Sequence, residues 1–68
     1  MEAALAHPLE DPNFTHWHGD LDTQLKRFHG VTSRDLGIER RSLQERYYSG
    51  ESLFAAIDGI ARVHRLGR

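Results

Sequence analysis

The residues best suited to chemistry in this chain lie close together in its N-terminal half. They form the run His16-Trp17-His18-Gly19-Asp20, followed by Asp22 and His29. Imidazole and carboxylate are metal ligands, and His18 and Asp22 are four residues apart, so a helix would bring them to one face. Two ligands do not make a structural metal site, and the other two histidines point elsewhere. The sequence therefore predicts a His18–Asp22 surface pair and no metal site.

Nothing in the sequence indicates catalysis. The chain has no cysteine, and none of its serines lies in a nucleophile elbow or beside a recognisable base. It has no glycine-rich phosphate loop, and a domain of this size has little room for a substrate pocket. His64 is expected only to close a helix C-terminus. We therefore expect no enzymatic activity and no cofactor.

The elements that position these residues begin with a helix over residues 14–29. Its large apolar residues recur at steps of three and four, which places them on one helical stripe: Phe14, Trp17, Leu21, Leu25 and Phe28. Asn13 is expected to cap the first turn, and Gly30 to end the helix in a left-handed conformation.

Three further elements follow Gly30. Thr32 and Asp35 have the spacing of a helix start and predict a short turn of helix over 32–36. Helices are predicted over 39–48 and 53–66, the last capped by Ser52 or by Ser49. Because no alternating apolar run indicates a strand, the fold class is all-α, a small bundle of three to four helices. Its predicted core is Trp17, Leu21, Leu25, Phe28, Leu36, Ile38, Leu43, Tyr47, Phe54, Ile57 and Ile60.

The size and composition describe one small domain over residues 14–68. Pro8 and Pro12 interrupt the chain before it, so residues 1–13 are expected to form an N-terminal arm. The 68 residues include no disulfide to stabilise a small core, which favours a homodimer. No apolar run approaches the roughly 20 residues of a membrane span, and the N-terminus does not resemble a signal peptide. A cytoplasmic location without a membrane partner is expected.

Charge is distributed unevenly along the chain. Residues 1–25 carry five acids and no Lys or Arg, whereas residues 26–68 carry nine bases and five acids, an excess of four positive charges. A basic half can favour a polyanion. Alternatively, the two oppositely charged halves attract each other within the fold or across a dimer.

The run from Gly37 to Gly50, with the sequence GIERRSLQERYYSG, resembles the turn and recognition helix of the Cro and lambda-repressor type of helix-turn-helix domain. That family has a glycine and an apolar residue at the turn, a buried aliphatic residue about six positions later, here Leu43, and a further helix beyond a second glycine. The resemblance covers about half the chain and implies binding to DNA.

Two registers of this resemblance are open. In the first, Thr32 to Leu36 forms the first motif helix, about one turn where the family has about two. In the second, Thr23 to His29 forms that helix, residues 30–32 form the turn, and Leu36 takes the aliphatic position. Gly37 then interrupts the recognition helix.

The sequence thus indicates a small non-enzymatic binding protein with two alternative partners. One is a larger protein, on which the chain would act as an adaptor or inhibitor through exposed Arg41 and Tyr48, with Trp17 of the predicted core as a further candidate. These residue types are enriched in interface hot spots. The other is DNA, with base or phosphate contacts from arginine and glutamine and with phosphate contacts from Lys26-Arg27. Glu45 on the same face would repel the DNA backbone. Taken together, the candidate contact residues are Arg34, Arg40, Arg41, Gln44 and Tyr48.

Overall fold

A computed structural model describes residues 11–66 of the chain. It contains three helices: α1 spans Pro12–His29, α2 spans Arg40–Tyr48 and α3 spans Leu53–His64. No strand occurs within the described residues, so the all-α prediction is confirmed. Most of the predicted N-terminal arm, residues 1–10, lies outside the described part of the chain.

Helix α1 begins earlier than the sequence predicts. Asp11, not Asn13, is its N-cap, and the Asp11 carboxylate accepts hydrogen bonds from the N–H groups of Asn13 and Phe14. The reason is Pro12, whose fixed φ and missing N–H suit the first helical position. Pro12 and Asn13 are thus helical rather than part of the arm. The predicted end is confirmed, because Gly30 has a φ of 76° and its N–H bonds to the Lys26 carbonyl at 2.8 Å.

Residues 33–37, between α1 and α2, form a single hydrogen-bonded turn rather than a helix. The reciprocal contacts expected of Thr32 and Asp35 are present. The Thr32 N–H donates to Asp35 Oδ2 at 2.9 Å, and the Asp35 N–H donates to Thr32 Oγ1 at 3.3 Å. Gly37 then takes a positive φ of 73°, which stops the turn.

The ends of α2 and α3 differ from prediction by one or two residues. Helix α2 begins at Arg40 with Glu39 as its N-cap. Ser52, and not Ser49, caps α3, and its side chain accepts the Ala55 N–H at 3.2 Å. Helix α3 ends at His64 because Arg65 adopts a left-handed conformation.

The core is built on α1, which packs against both α2 and α3. Its buried apolar residues are Phe14, Leu21, Leu25, Leu43, Ala56, Ile57 and Ile60. Trp17, Leu36, Ile38 and Tyr47 are half-buried against it. The sequence-based core omits Phe14 and Ala56.

Two predicted core residues are wrong. Phe28 and Phe54 are each 59% exposed, although their rings contact each other with centroids 6.5 Å apart. Phe28 lies in the last turn of α1 and Phe54 in the first turn of α3. Apart from their contact with each other, the two rings are left largely in solvent, because the neighbouring helices do not cover this end of the stripe. Within residues 11–66, no helix has both the length and the apolar character that a membrane span requires.

Candidate functional site

Three of the five predicted contact residues line one shallow depression on the outer side of α2. The depression is formed by Arg41, Gln44, Glu45 and Tyr48, which are spaced by three, one and three residues and so share a helical face. Arg41 Nε lies 3.9 Å from Glu45 Oε2, and both side chains are mostly exposed. We refer to this depression as the α2 face.

Tyr48 is the large aromatic residue of the α2 face. Its side chain is 54% exposed, yet its ring stacks beside that of Phe14 and meets the ring of Tyr47 edge-on, with centroids 6.3 and 4.9 Å away. Its hydroxyl donates a hydrogen bond to the Asp11 carboxylate. This bond raises the pKa of Tyr48 to about 12 and is the main reason that the pKa of Asp11 is lowered. The hydrogen bond and the two ring contacts together orient the Tyr48 side chain.

Asp11 belongs to this surface through its contact with Tyr48, although the sequence does not indicate it. One of its carboxylate oxygens accepts the N–H groups of Asn13 and Phe14 at 2.9 and 3.3 Å, and the other accepts the Tyr48 hydroxyl. The same side chain thus caps the start of α1 and fixes the end of α2. The Asp-Pro pair is a sequence signal for the cap, but no local pattern indicates the contact with Tyr48.

The other two predicted contact residues lie apart from the α2 face. The guanidinium of Arg40 lies over the buried Phe14 ring, with its central carbon 4.9 Å from the ring centroid, so Arg40 helps to cover the core. Arg34 is exposed on the 33–37 turn. Trp17, predicted as a core residue and also named as a further contact candidate, is half-buried, with its ring 5.4 Å from that of Tyr47.

The predicted His18–Asp22 pair is present and includes a third residue. His18 Nε2 lies 3.3 Å from Asp22 Oδ2 and 3.3 Å from Ser33 Oγ, and the Ser33 N–H donates to Asp22 Oδ1 at 2.8 Å. Ser33 is only 3% exposed. This contact holds the 33–37 turn onto α1, and no sequence signal linked Ser33 to it.

The His18 cluster does not have the geometry of a hydrolase triad. In a triad, serine and aspartate contact opposite nitrogens of the imidazole ring, whereas here both contact Nε2. Within the described residues, no three His, Cys, Asp or Glu side chains come together in a way that could hold a metal ion. The contacts among His18, Asp22 and Ser33 can hold the 33–37 turn against α1.

The two registers of the helix-turn-helix resemblance both involve the 33–37 turn. In the first register, the first motif helix corresponds to the single turn over 33–37. In the second register, the recognition helix would have to begin at this same turn. Comparison of the chain with protein-family models, curated proteins and solved structures finds no match. The resemblance stays a prediction.

Proposed function

We propose that this chain is a non-enzymatic binding protein that docks on a larger protein through the α2 face, with Tyr48 as the anchor. The observation that carries the proposal is the fixed, half-exposed ring of Tyr48, held by Asp11. Tyrosine is among the residue types that dominate binding energy at protein interfaces. The cysteine-free composition suits a reducing compartment, so the proposed site of action is the cytoplasm.

The fixed ring favours binding because association normally immobilises side chains at a cost of about 0.5–1.5 kcal/mol each. The Tyr48 ring already has neighbours on two sides, Phe14 and Tyr47. Its exposed side offers apolar area to a partner without a further loss of rotamer freedom. Such a pre-organised aromatic is a suitable centre for an interface.

The charges around Tyr48 favour a protein partner over a polyanion. Arg41 and Glu45 lie side by side on the α2 face, one base and one acid. Gln44 adds an uncharged amide side chain to the same face. A nearly neutral, polar border around an aromatic centre is typical of protein interfaces.

The test is capture of partners from the source cell by the tagged chain, with and without nuclease. A protein that is retained after nuclease treatment is expected to bind the Tyr48→Ala variant at least about 30-fold more weakly, which corresponds to the roughly 2 kcal/mol that defines a hot spot. Val63→Ala is the matched control, because Val63 is 70% exposed and lies outside the α2 face.

Tyr48→Phe separates the ring from its orientation. This variant keeps the aromatic area and loses the hydrogen bond to Asp11, so its affinity should fall between those of the wild type and Tyr48→Ala. Circular dichroism of each variant checks that the helices are intact. Equal affinity of Tyr48→Ala and Val63→Ala for the captured protein would contradict the proposal.

DNA is the second candidate partner, favoured by the exposed Arg34 and Arg41 and by the basic C-terminal part of the chain. Capture would then depend on nucleic acid, and affinity would fall by about 0.9 log units per phosphate contact for each log unit of salt. Arg41→Ala combined with Gln44→Ala should abolish sequence preference while leaving the helices intact. Weak salt dependence would instead favour the protein partner.

A further inference from the structure

A second surface lies along α3 and shares no residue with the α2 face. It is an apolar groove that begins beside His29 at the end of α1 and follows one stripe of α3, formed by Phe54, Ile57, Asp58, Ala61, Arg62 and Arg65. Phe28 contacts Phe54 at its start, and both rings are more than half exposed. We call this surface the α3 groove.

We propose that the α3 groove binds the α3 groove of a second copy of this chain, so that the two α3 helices pack antiparallel about a two-fold axis. This proposal does not depend on the α2 face. The homodimer expected from the small size of the chain would then have its interface on α3, which leaves both copies of Tyr48 outside the contact.

The charges of the α3 groove fit a second copy because an acid and a base lie on the same stripe. Asp58 Oδ2 is 3.0 Å from Arg62 Nη2, and both side chains are largely exposed. A two-fold axis near residue 60 brings Asp58 of each copy opposite Arg62 of the other. The surface is thereby complementary to itself, as a two-fold interface requires.

The apolar residues fit the same arrangement. With the axis near residue 60, Phe54 of one copy lies near Arg65 of the other, where the guanidinium can face the ring. Ala61 is close to the axis, and its small side chain allows the two helices to approach closely. Each copy would cover the Phe54 ring, which the isolated chain leaves in solvent.

The size of the chain gives a reason for such a contact. The apolar core of the described residues consists of seven buried side chains, and the sequence contains no cysteine. Small domains without disulfides or structural metals often gain stability by self-association. A contact between copies would bury the Phe54 ring, which is 59% exposed in the isolated chain.

Sedimentation of the untagged chain across the micromolar range tests the proposal. We expect the wild type to be a dimer and Phe54→Ser to raise the dimer dissociation constant by about tenfold or more, because each copy then loses the ring that the other copy covers with Arg65. Val63→Ser is the matched control: it removes another exposed apolar side chain from α3, outside the groove, and should leave the dissociation constant unchanged.

Charge exchange tests whether two α3 grooves face each other. Asp58→Arg places a base at both positions 58 and 62, and Arg62→Asp places an acid at both. Each variant alone should be monomeric, because like charges then face each other across the axis. An equimolar mixture of the two should form a heterodimer, because unlike charges then face each other across the axis.

Three outcomes would overturn the proposal. They are a monomeric wild type at every concentration, a dimer that Phe54→Ser leaves as stable as the wild type, and a mixture of the charge variants that stays monomeric although each chain remains helical. The first of these would leave the groove open to a helix of another protein, and the second would locate the contact between copies elsewhere.

Discussion

Phenylalanine occurs near each end of α1, on the same stripe of the helix, and the two rings have opposite surroundings. Phe14 is fully buried under Tyr47 and Tyr48, and the guanidinium of Arg40 covers its ring. Phe28 is 59% exposed, and within residues 11–66 the one aromatic ring it meets is that of Phe54. The burial of a stripe residue is thus decided by what the other helices bring to it.

The two ends of α1 also differ in how their exposed aromatic residues are held. At the N-terminal end, the hydrogen bond from Tyr48 to Asp11 fixes an exposed ring. At the C-terminal end, Phe28 and Phe54 have no polar atom that could fix them, so each remains an apolar surface. The first arrangement suits a selective contact with another protein, and the second suits association through buried area.

The largest expected effect is at Phe14. Phe14→Ala should reduce the free energy of unfolding by about 3–5 kcal/mol, because it removes a fully buried ring and leaves a cavity under α2. Urea unfolding followed by circular dichroism measures the change. For so small a domain, such a loss can unfold the chain. Phe14→Leu removes less of the side chain, so its free energy of unfolding can still be measured and compared with that of the wild type. A Phe14→Ala variant as stable as the wild type would contradict the assigned core.

The next effect concerns Asp11. Asp11→Ala should lower the thermal midpoint at neutral pH more than Asp20→Ala does. Asp11 caps α1 and binds Tyr48, whereas within the described residues the exposed Asp20 makes a single side-chain contact, 3.7 Å long, with His16. Thermal melts of both variants give the ranking, and equal midpoints would contradict the dual role of Asp11.

The lowered pKa of Asp11 also predicts how folding stability changes at acid pH. The Tyr48 hydrogen bond, assisted by the N–H groups of Phe14 and Asn13, lowers the pKa of Asp11 below 3.8 in the folded state. The stabilisation is therefore complete above the unfolded pKa and is lost as the pH falls through the folded one. Asp11→Ala should reduce the loss of folding stability at low pH without abolishing it. Asp35 contributes to the same loss, because hydrogen bonds from the Thr32 N–H and hydroxyl also lower its pKa.

The Tyr48 hydroxyl gives a smaller effect at alkaline pH. Its bond to Asp11 raises the folded pKa of Tyr48 from 10.0 to about 12. The contribution of this bond is therefore complete below pH 10.0 and is lost as the pH rises through about 12. Because other groups also titrate there, the readout is the difference between wild type and Tyr48→Phe, which should shrink with rising pH. A difference that stays constant would contradict this sign.

The smallest effect is expected at Phe28. At a concentration where the chain is monomeric, Phe28→Ala should change the free energy of unfolding by less than about 1 kcal/mol, because it removes an exposed ring and a single aromatic contact. Urea unfolding measures it beside Phe14→Ala. A loss as large as that of Phe14→Ala would erase the contrast between the two ends of α1.

Periodicity predicts much of this fold because the helical stripes and most helix ends are local properties. Gly30 and Ser52 act as the sequence indicates, and Leu21, Leu25 and Leu43 are buried as expected. The position of Phe28 could not be predicted in this way, because a stripe does not reveal where the neighbouring helices stop.

The candidate site was predictable only as far as its own helix. Arg41, Gln44 and Tyr48 follow from the spacing on α2, and the structure brings them together. The contact of Tyr48 with Asp11 and the placement of Arg40 over Phe14 join residues that are distant in sequence. Such pairings depend on how α1 and α2 cross, which local patterns do not contain.

The buried Ser33 has a consequence for hydrogen exchange. Its amide belongs to no helix, yet it donates to the Asp22 carboxylate and is shielded from water. Loop amides usually exchange quickly, but this one can exchange only when the 33–37 turn leaves α1. Its exchange rate therefore reports the opening of the turn separately from the unraveling of the helices, and Asp22→Ala should accelerate exchange at Ser33 far more than at the amides in the middle of α1.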